Sequence, residues 1–249
     1  MLARAGFAAV DRKTYSALAA LHNHGLFRAG AVLIGSHAFG ALLNALGAKT
    51  VPYATEDVDI ARFEALALPE LPPFLDMLRE TGIEFFEVAA LNRRRHPTSF
   101  KEGGRSRLKV DLLVPAPGEG YPTIAVPELK AHAKGLPHLR YLLGDSQEVP
   151  VLSPHGVVLV RVPVPERYAI HKLVVSQLRA KTSSKPAKDL RQAATLIEAL
   201  VERFPGAVED ALTAVPRSAV RHVRRAAAAV TRHLPASAEA AWEALKSYT

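Results

Sequence analysis

The chain has 249 residues, 49% of them hydrophobic and 22% charged, so it is long enough to bury a substantial core and to form one or two domains. It contains no cysteine, which excludes disulfides, thiolate nucleophiles and cysteine zinc sites, and its ten histidines, His132, His138 and His155 among them, follow no regular zinc-ligand spacing. The formal net charge is +8 and unevenly placed: residues 161–249 carry 15 Lys and Arg against 8 Asp and Glu, whereas residues 1–160 carry 17 against 16, so the C-terminal third has the footprint of a polyanion binder.

Residues 11–26 read as a helix with Tyr15, Leu18, Leu21 and His22 near one stripe, and nothing before them resembles the apolar stretch of a secretory leader. The apolar run 31–34 reads as a strand that turns through Gly35-Ser36 into a helix over 38–46, with Phe39, Leu42, Leu43 and Leu46 at helical spacing. After a Gly- and Pro-containing connection over 47–55 comes a strand through Asp57. Pro69, Pro72 and Pro73 introduce a helix through Glu80 that ends near Gly82, and 83–89 suits a buried strand. Residues 96–101 and 107–114 read as a hairpin about Gly103-Gly104, followed by a Pro- and Gly-rich loop to Pro122. From 123 to 164 the pattern is mixed: a short helix over 128–134, then strands over 150–152 and 156–162. Beyond Pro163 and Pro165 the chain is mainly helical, over 166–181, 187–204, 218–233 and 236–246, with Ser183-Ser184-Lys185-Pro186 parting the first two. No apolar run approaches the roughly 18 residues of a membrane span, so a cytoplasmic protein without membrane contact is expected.

Chemistry concentrates in a few of these elements. Side chains two apart on a strand share a face, so Asp57 and Asp59 stand side by side while Val58 points to the opposite side. Like charges so close repel, and proteins retain them where a cation sits between them. The hairpin places Asp111 on a strand that can lie beside the first, and three carboxylates make the hard, oxygen-rich set that Mg²⁺ accepts. Gly35 would let a ligand approach the backbone, and the N–H groups at the following helix start favour an anion, although serine is also an ordinary N-cap.

An apolar strand, Gly35-Ser36, a helix, the apolar-flanked pair Asp57-Val58-Asp59 and a later strand carboxylate Asp111 together resemble the nucleotidyltransferase superfamily, which includes DNA polymerase beta, poly(A) polymerases, antibiotic-modifying enzymes and toxin-type enzymes. A bacterial branch of it is similar over most of the chain, through Gly35-Ser36-His37-Ala38-Phe39, Thr55-Glu56-Asp57-Val58-Asp59 and Val162-Pro163-x-Pro165-Glu166-Arg167-Tyr168-Ala169-x-His171-Lys172-Leu173. Twenty residues separate Ser36 from Asp57, several more than that pattern usually has. The resemblance implies an α/β (α+β) protein with a mixed sheet flanked by helices and followed by a helical C-terminal domain. Expected boundaries are a nucleotidyltransferase core at 1–125, a mixed connector at 126–164 and the helical domain at 165–249.

The implied reaction moves a nucleoside monophosphate from an NTP such as ATP to an acceptor hydroxyl. Asp57, Asp59 and Asp111 would be both catalytic and metal-holding, for two Mg²⁺ ions with Mn²⁺ as the alternative, while Gly35 and Ser36 would grip the leaving phosphates. The residues themselves add candidates. Ile170, Leu173, Val174 and Leu178 form an apolar stripe that leaves Lys172, Ser176 and Arg179 on a polar side; the resemblance assigns Lys172 to the β and γ phosphates, and Asp189 either orients a lysine or stabilises its own helix. Arg93-Arg94-Arg95-His96 would lie at a cleft mouth or be simply solvated, and His37 would touch the nucleotide or pack beneath its helix. The basic C-terminal third favours an RNA or tRNA acceptor, as in toxin-type relatives, with a small molecule or a protein as alternatives. A non-catalytic binding protein, with an antitoxin-type or homo-oligomeric partner, is the reading from a different class, against which the three mutually repelling aspartates argue.

Overall fold

Apolar–polar alternation on two neighbouring strands decides where the core lies and where the charges go. The computed structural model describes residues 5–49, 55–67, 71–90, 92, 94–180, 184–235 and 238–246, without the side chains of 242 and 244. The chain divides into two units, Met1–Pro163 and Val164–Thr249.

The first unit runs α1 (Arg12–Asn23), β1 (Ala31–Ile34), α2 (Gly35–Ala45), β2 (Asp57–Arg62), α3 (Phe74–Arg79), β3 (Phe85–Glu87), β4 (Ser99–Glu102), β5 (Lys109–Pro115), β6 (Thr123–Val126), β7 (Ala131–Leu136), α4 (Leu139–Leu143), β8 (Ser146–Ser153) and β9 (Gly156–Pro163). Its main sheet has the order β1-β2-β5-β4-β3. β4 pairs with the start of β5 and β7 with its end, and β6 lies outside β7. β5 is parallel to both β2 and β7, while the other pairings are antiparallel, so the sheet is mixed.

On one face of this sheet Val58, Ile60, Phe85, Phe100, Val110 and Leu112 are buried. Phe74 of α3 packs on Phe100 with ring centroids 5.0 Å apart. Burying each such side chain contributes about 1.5–3 kcal/mol, which makes the register of β2 and β5 costly to slip: one step would bring the aspartates into the core. α1 starts at Asp11, whose carboxylate accepts from the N–H groups of Lys13 and Thr14 and so satisfies two donors of the first turn. β8 and β9 form a separate hairpin, tied to the rest of the unit by Val10 N–H donating to Leu152 O and Arg161 Nε donating to Phe27 O.

The expected helix over 128–134 is instead a single 3-10 turn at Pro127–Leu129 followed by β7. Ala131, Ala133 and Gly135 are buried while His132, Lys134 and Leu136 are not, a period of two that β5 and β6 stabilise by pairing on either side. Ala and Lys are good helix formers in isolation, and here the tertiary ladder overrides them. Two short helices, α4 and one at Ala207–Thr213, are additions to the sequence-based reading.

The second unit is helical throughout: α5 (Pro165–Leu178), α6 (Lys185–Arg203), α7 (Ala207–Thr213), α8 (Arg217–Val230) and α9 (Glu239–Lys246). α5 touches α6, α7 and α8, and Tyr168 through Val174 are all buried along it. Proline at the start of α5 and of α6 supplies the preset φ of a first turn, where a missing N–H costs nothing. Among the described residues no helix is long and apolar enough to cross a membrane.

Candidate active site

Parallel pairing of β2 with β5 sets Asp57 beside Lys109 and Asp59 beside Asp111. Cross-strand partners share a face, so three carboxylates and one ammonium group stand together on the side opposite Val58 and Val110. Asp111 is the most enclosed of the measured pair, its side chain 18% exposed against 47% for Asp57.

Gly35 opens α2 with φ +70°, a left-handed conformation that glycine adopts at little cost. A β-carbon at this position would stand 3.0 Å from Asp59 Cγ and run into Oδ2, so the glycine is what allows the carboxylate to lie against the backbone. The N-cap is Ile34, without a side-chain cap bond, which makes Ser36 the second helical residue and not the cap. Gly35 and Ser36 therefore belong to a first turn whose N–H groups point out of the helix beside Asp59. His37, directly after them, is buried.

Lys109 is the residue that sequence reading missed. Its Nζ donates to Asp111 Oδ2 at 2.7 Å and lies 3.6 Å from Asp57 Oδ1. Partial burial pushes its ammonium pKa down, but the hydrogen bond to Asp111 and the charges of Asp111, Asp57 and Asp59 outweigh this and raise it above the usual lysine value. The signal was present in the chain: a position two before Asp111 on a strand must share its face. Glu56 and Glu102, the other carboxylates near the motif, are used otherwise. Glu56 is exposed and its carbonyl accepts from Lys109 N–H, whereas Glu102 accepts from Lys13 Nζ at 2.6 Å.

The donor set suits a hard divalent cation, and Asp111 Oδ1 is buried without a hydrogen-bond partner among the described residues, an arrangement that a cation would relieve. Among the described residues no three His, Asp or Glu side chains are disposed about a common metal position, and Lys109 Nζ lies between Asp57 and Asp111.

In the second unit, Lys172 and Ser176 of the polar side of α5 are buried, Lys172 being 8% exposed, while Arg179 at its end is only partly covered. Lys172 Nζ donates to Asp189 Oδ1 at 2.8 Å, and Arg179 Nε donates to Asp189 Oδ2 at 2.5 Å. This pairing makes burial of the charges tolerable. Lys188 stands nearby with its pKa lowered, first by burial and then by the charge of Lys172, with Lys185 and Arg179 adding to the effect and Asp189 offsetting part of it. Asp189 thus orients a lysine within a cluster carrying excess positive charge.

Arg94 and Arg95 are exposed, Arg95 Nη1 donating to the carbonyl of Tyr121 at 3.4 Å; Arg93 lies outside the described residues. His96 stacks on His132 with centroids 3.8 Å apart, and Lys134 lies over the Tyr121 ring at 5.3 Å. The pairing of Leu113 with Lys134 puts Lys134 on the aspartate-bearing face of the sheet, as a basic margin to the acidic centre.

A family model described as Nucleotidyltransferase matches residues 12–216. The chain belongs to the nucleotidyltransferase family. Members transfer a nucleoside monophosphate from an NTP and generally use divalent metal ions to do so, so this nucleotidyltransferase is a transferase. The match takes in the aspartate-bearing sheet and α5 to α7, and ends before the arginines of α8. No curated protein and no solved structure matches the chain.

Proposed function

We propose that this nucleotidyltransferase is a Mg²⁺-dependent enzyme that transfers a nucleoside monophosphate from an NTP to a hydroxyl on RNA, with tRNA the leading candidate, in a toxin-like manner and in the cytoplasm. The observation carrying the proposal is the register that pairs Asp59 with Asp111, on the face shared with Asp57 and beside the glycine-opened helix start.

In this reading Asp57 and Asp59 would hold two Mg²⁺ ions, for which Mn²⁺ could substitute, and Asp111 would complete the set. Metal bound there would supply the positive charge that lowers the acceptor hydroxyl's pKa and offsets phosphate charge. The acceptor oxygen would form a bond to the α phosphorus as the bond from the α phosphorus to the bridging oxygen of the β phosphate breaks; pyrophosphate leaves and the hydroxyl proton passes to solvent. Gly35 and Ser36 would hold the leaving phosphates through the first-turn N–H groups. Lys172 would offset the charge of the β and γ phosphates.

Support for an RNA acceptor comes from α8. Its buried side carries Ala219, His222, Val223, Ala226, Ala227 and Val230, while Arg217, Arg221, Arg224 and Arg225 are exposed, a basic stripe suited to a phosphate backbone. A small-molecule acceptor is the second reading, favoured by the family match ending before these arginines.

Incubation with each radiolabelled NTP and total RNA, or with small hydroxyl acceptors, separates the two. We expect label on RNA in Mg²⁺ and none with Asp57→Asn. RNA retention should fall steeply with salt and weaken when Arg221, Arg224 and Arg225 are neutralised together. Label on a small acceptor, with no RNA retention at low salt, would transfer the assignment to the second reading. No transfer to any acceptor would remove the catalytic one and favour a binding role with an antitoxin-type or homo-oligomeric partner.

A further inference from the structure

Resting on the metal-dependent reading above, we propose that Lys109 is the resident counter-ion of the metal-free site, and that a divalent ion binds by displacing its ammonium group from Asp57 and Asp111. Three carboxylates forced onto one face by the β2–β5 register would repel one another with nothing between them. Lys109 Nζ stands where it relieves that repulsion, 2.7 Å from Asp111 and 3.6 Å from Asp57. Its backbone is fixed in the same ladder, directly beside Asp57, so the side chain needs no loop to bring it there.

The same position makes it a competitor. The ammonium group occupies one lone-pair direction of Asp111 Oδ2, and a unit positive charge this close to the carboxylates weakens their hold on any second cation. With the ammonium group displaced, all three carboxylates present their negative charge to the incoming cation. Lys109 is 32% exposed, so its flexible stem can carry the charged end into water without disturbing the strand. It is a positioning residue here: it holds the aspartates in place before metal arrives, and its release couples metal loading to a freed cation at the edge of the site.

The test compares wild type with Lys109→Met, which keeps the stem and removes the charge, and with Lys109→Arg, which keeps the charge. Mn²⁺ affinity is measured by calorimetry without nucleotide, and melting temperature is followed in EDTA and in saturating Mg²⁺. Removing a close positive charge at a partly screened site should tighten Mn²⁺ binding in Lys109→Met by about tenfold or more. The same variant should melt below wild type in EDTA and recover in Mg²⁺, whereas Lys109→Arg should match wild type in EDTA and bind Mn²⁺ no more tightly. Equal or weaker Mn²⁺ affinity in Lys109→Met, with wild-type binding intact and abolished by Asp57→Asn, would overturn the counter-ion role while leaving the metal site standing. Absence of Mn²⁺ binding in all of these proteins would overturn the metal-dependent reading, and the displacement with it. If Lys109→Met does not fold in EDTA, purification in Mg²⁺ followed by chelation gives the same comparison, and loss of structure on chelation is the expected extreme of the predicted instability.

Discussion

The two units each gather charges around aspartate, and they do it in opposite ways. On the sheet face, three carboxylates surround one lysine, with Asp57 half-exposed and negative charge in excess. Between α5 and α6, one aspartate that is 2% exposed is shared by Lys172 and Arg179, with Lys188 nearby and positive charge in excess. An excess that is left accessible can be completed by a ligand, whereas a buried pair must be completed by the protein itself. The acidic cluster therefore has the character of a site, and the buried bonds of Asp189 have the character of a brace that holds basic groups in place.

This contrast breaks first at Asp57. Asp57→Asn should remove nearly all transfer activity while changing the unfolding free energy by no more than about 0.5 kcal/mol, because a half-exposed carboxylate among like charges contributes little to the metal-free fold. Paired urea denaturation and transfer assays read both quantities. A variant that unfolds easily, or one that keeps full activity, would make the acidic cluster structural.

Asp189→Ala should do the reverse. Lys172 would remain buried without its partner, and leaving such a charge uncompensated costs about 3–5 kcal/mol of stability. Urea denaturation at neutral pH measures it. A loss below about 1 kcal/mol, the size of a solvated surface pair, would mean that the cluster opens to water in solution.

Lys172→Ala sharpens the same comparison at smaller scale, since Asp189 keeps its bond to Arg179. If Lys172 also serves the triphosphate, Mg-NTP binding should weaken by about 1–3 kcal/mol in a calorimetric titration, the range for one charge-assisted hydrogen bond. Unchanged affinity with a lowered melting temperature would leave Lys172 as part of the brace alone.

Much of this site could be read along the chain, because its information is local. The alternation Asp57-Val58-Asp59 states both a face and a core, and Gly103-Gly104 between extended segments announces the strand that carries Asp111. The nonlocal parts were hidden. That β2 and β5 run parallel with Asp57 level with Lys109 is a matter of pairing between strands some fifty residues apart, and only that pairing turns Lys109 from a strand lysine into a counter-ion. The partner of the α5 residue Lys172 was hidden for the same reason. A lysine on a helix surface is normally solvated, and its partner Asp189 lies on the next helix, beyond what helical periodicity within α5 can reveal. At 131–136 a helix-forming composition won on local propensity, and lost to strand pairing on both sides.

β2 also carries an internal control for the comparison. At its far end Arg62 Nε donates to Glu128 Oε1 at 2.5 Å, and the same oxygen accepts from Leu66 N–H at 3.2 Å. Both side chains are less than one-fifth exposed, and the charges balance. This pair ties the end of the strand to the turn before β7 and should have no part in transfer. Burial alone would raise the Glu128 pKa, but the bonds from Arg62 and the backbone more than compensate and hold it below the usual value of 4.5. A lowered folded-state pKa means that the stabilisation is fully present above 4.5 and disappears as pH falls through the lower folded value, where both states become protonated. Glu128→Gln should therefore cost about 1 kcal/mol at pH 7, with discounting for partial exposure, and the wild-type and variant curves should converge as pH drops below 4.5. Urea midpoints between pH 7 and 3 would show this, with transfer activity at pH 7 unchanged. A difference that does not shrink at all as pH falls below 4.5 would assign the effect to packing, and a loss of activity would extend the working site along β2 beyond its aspartates.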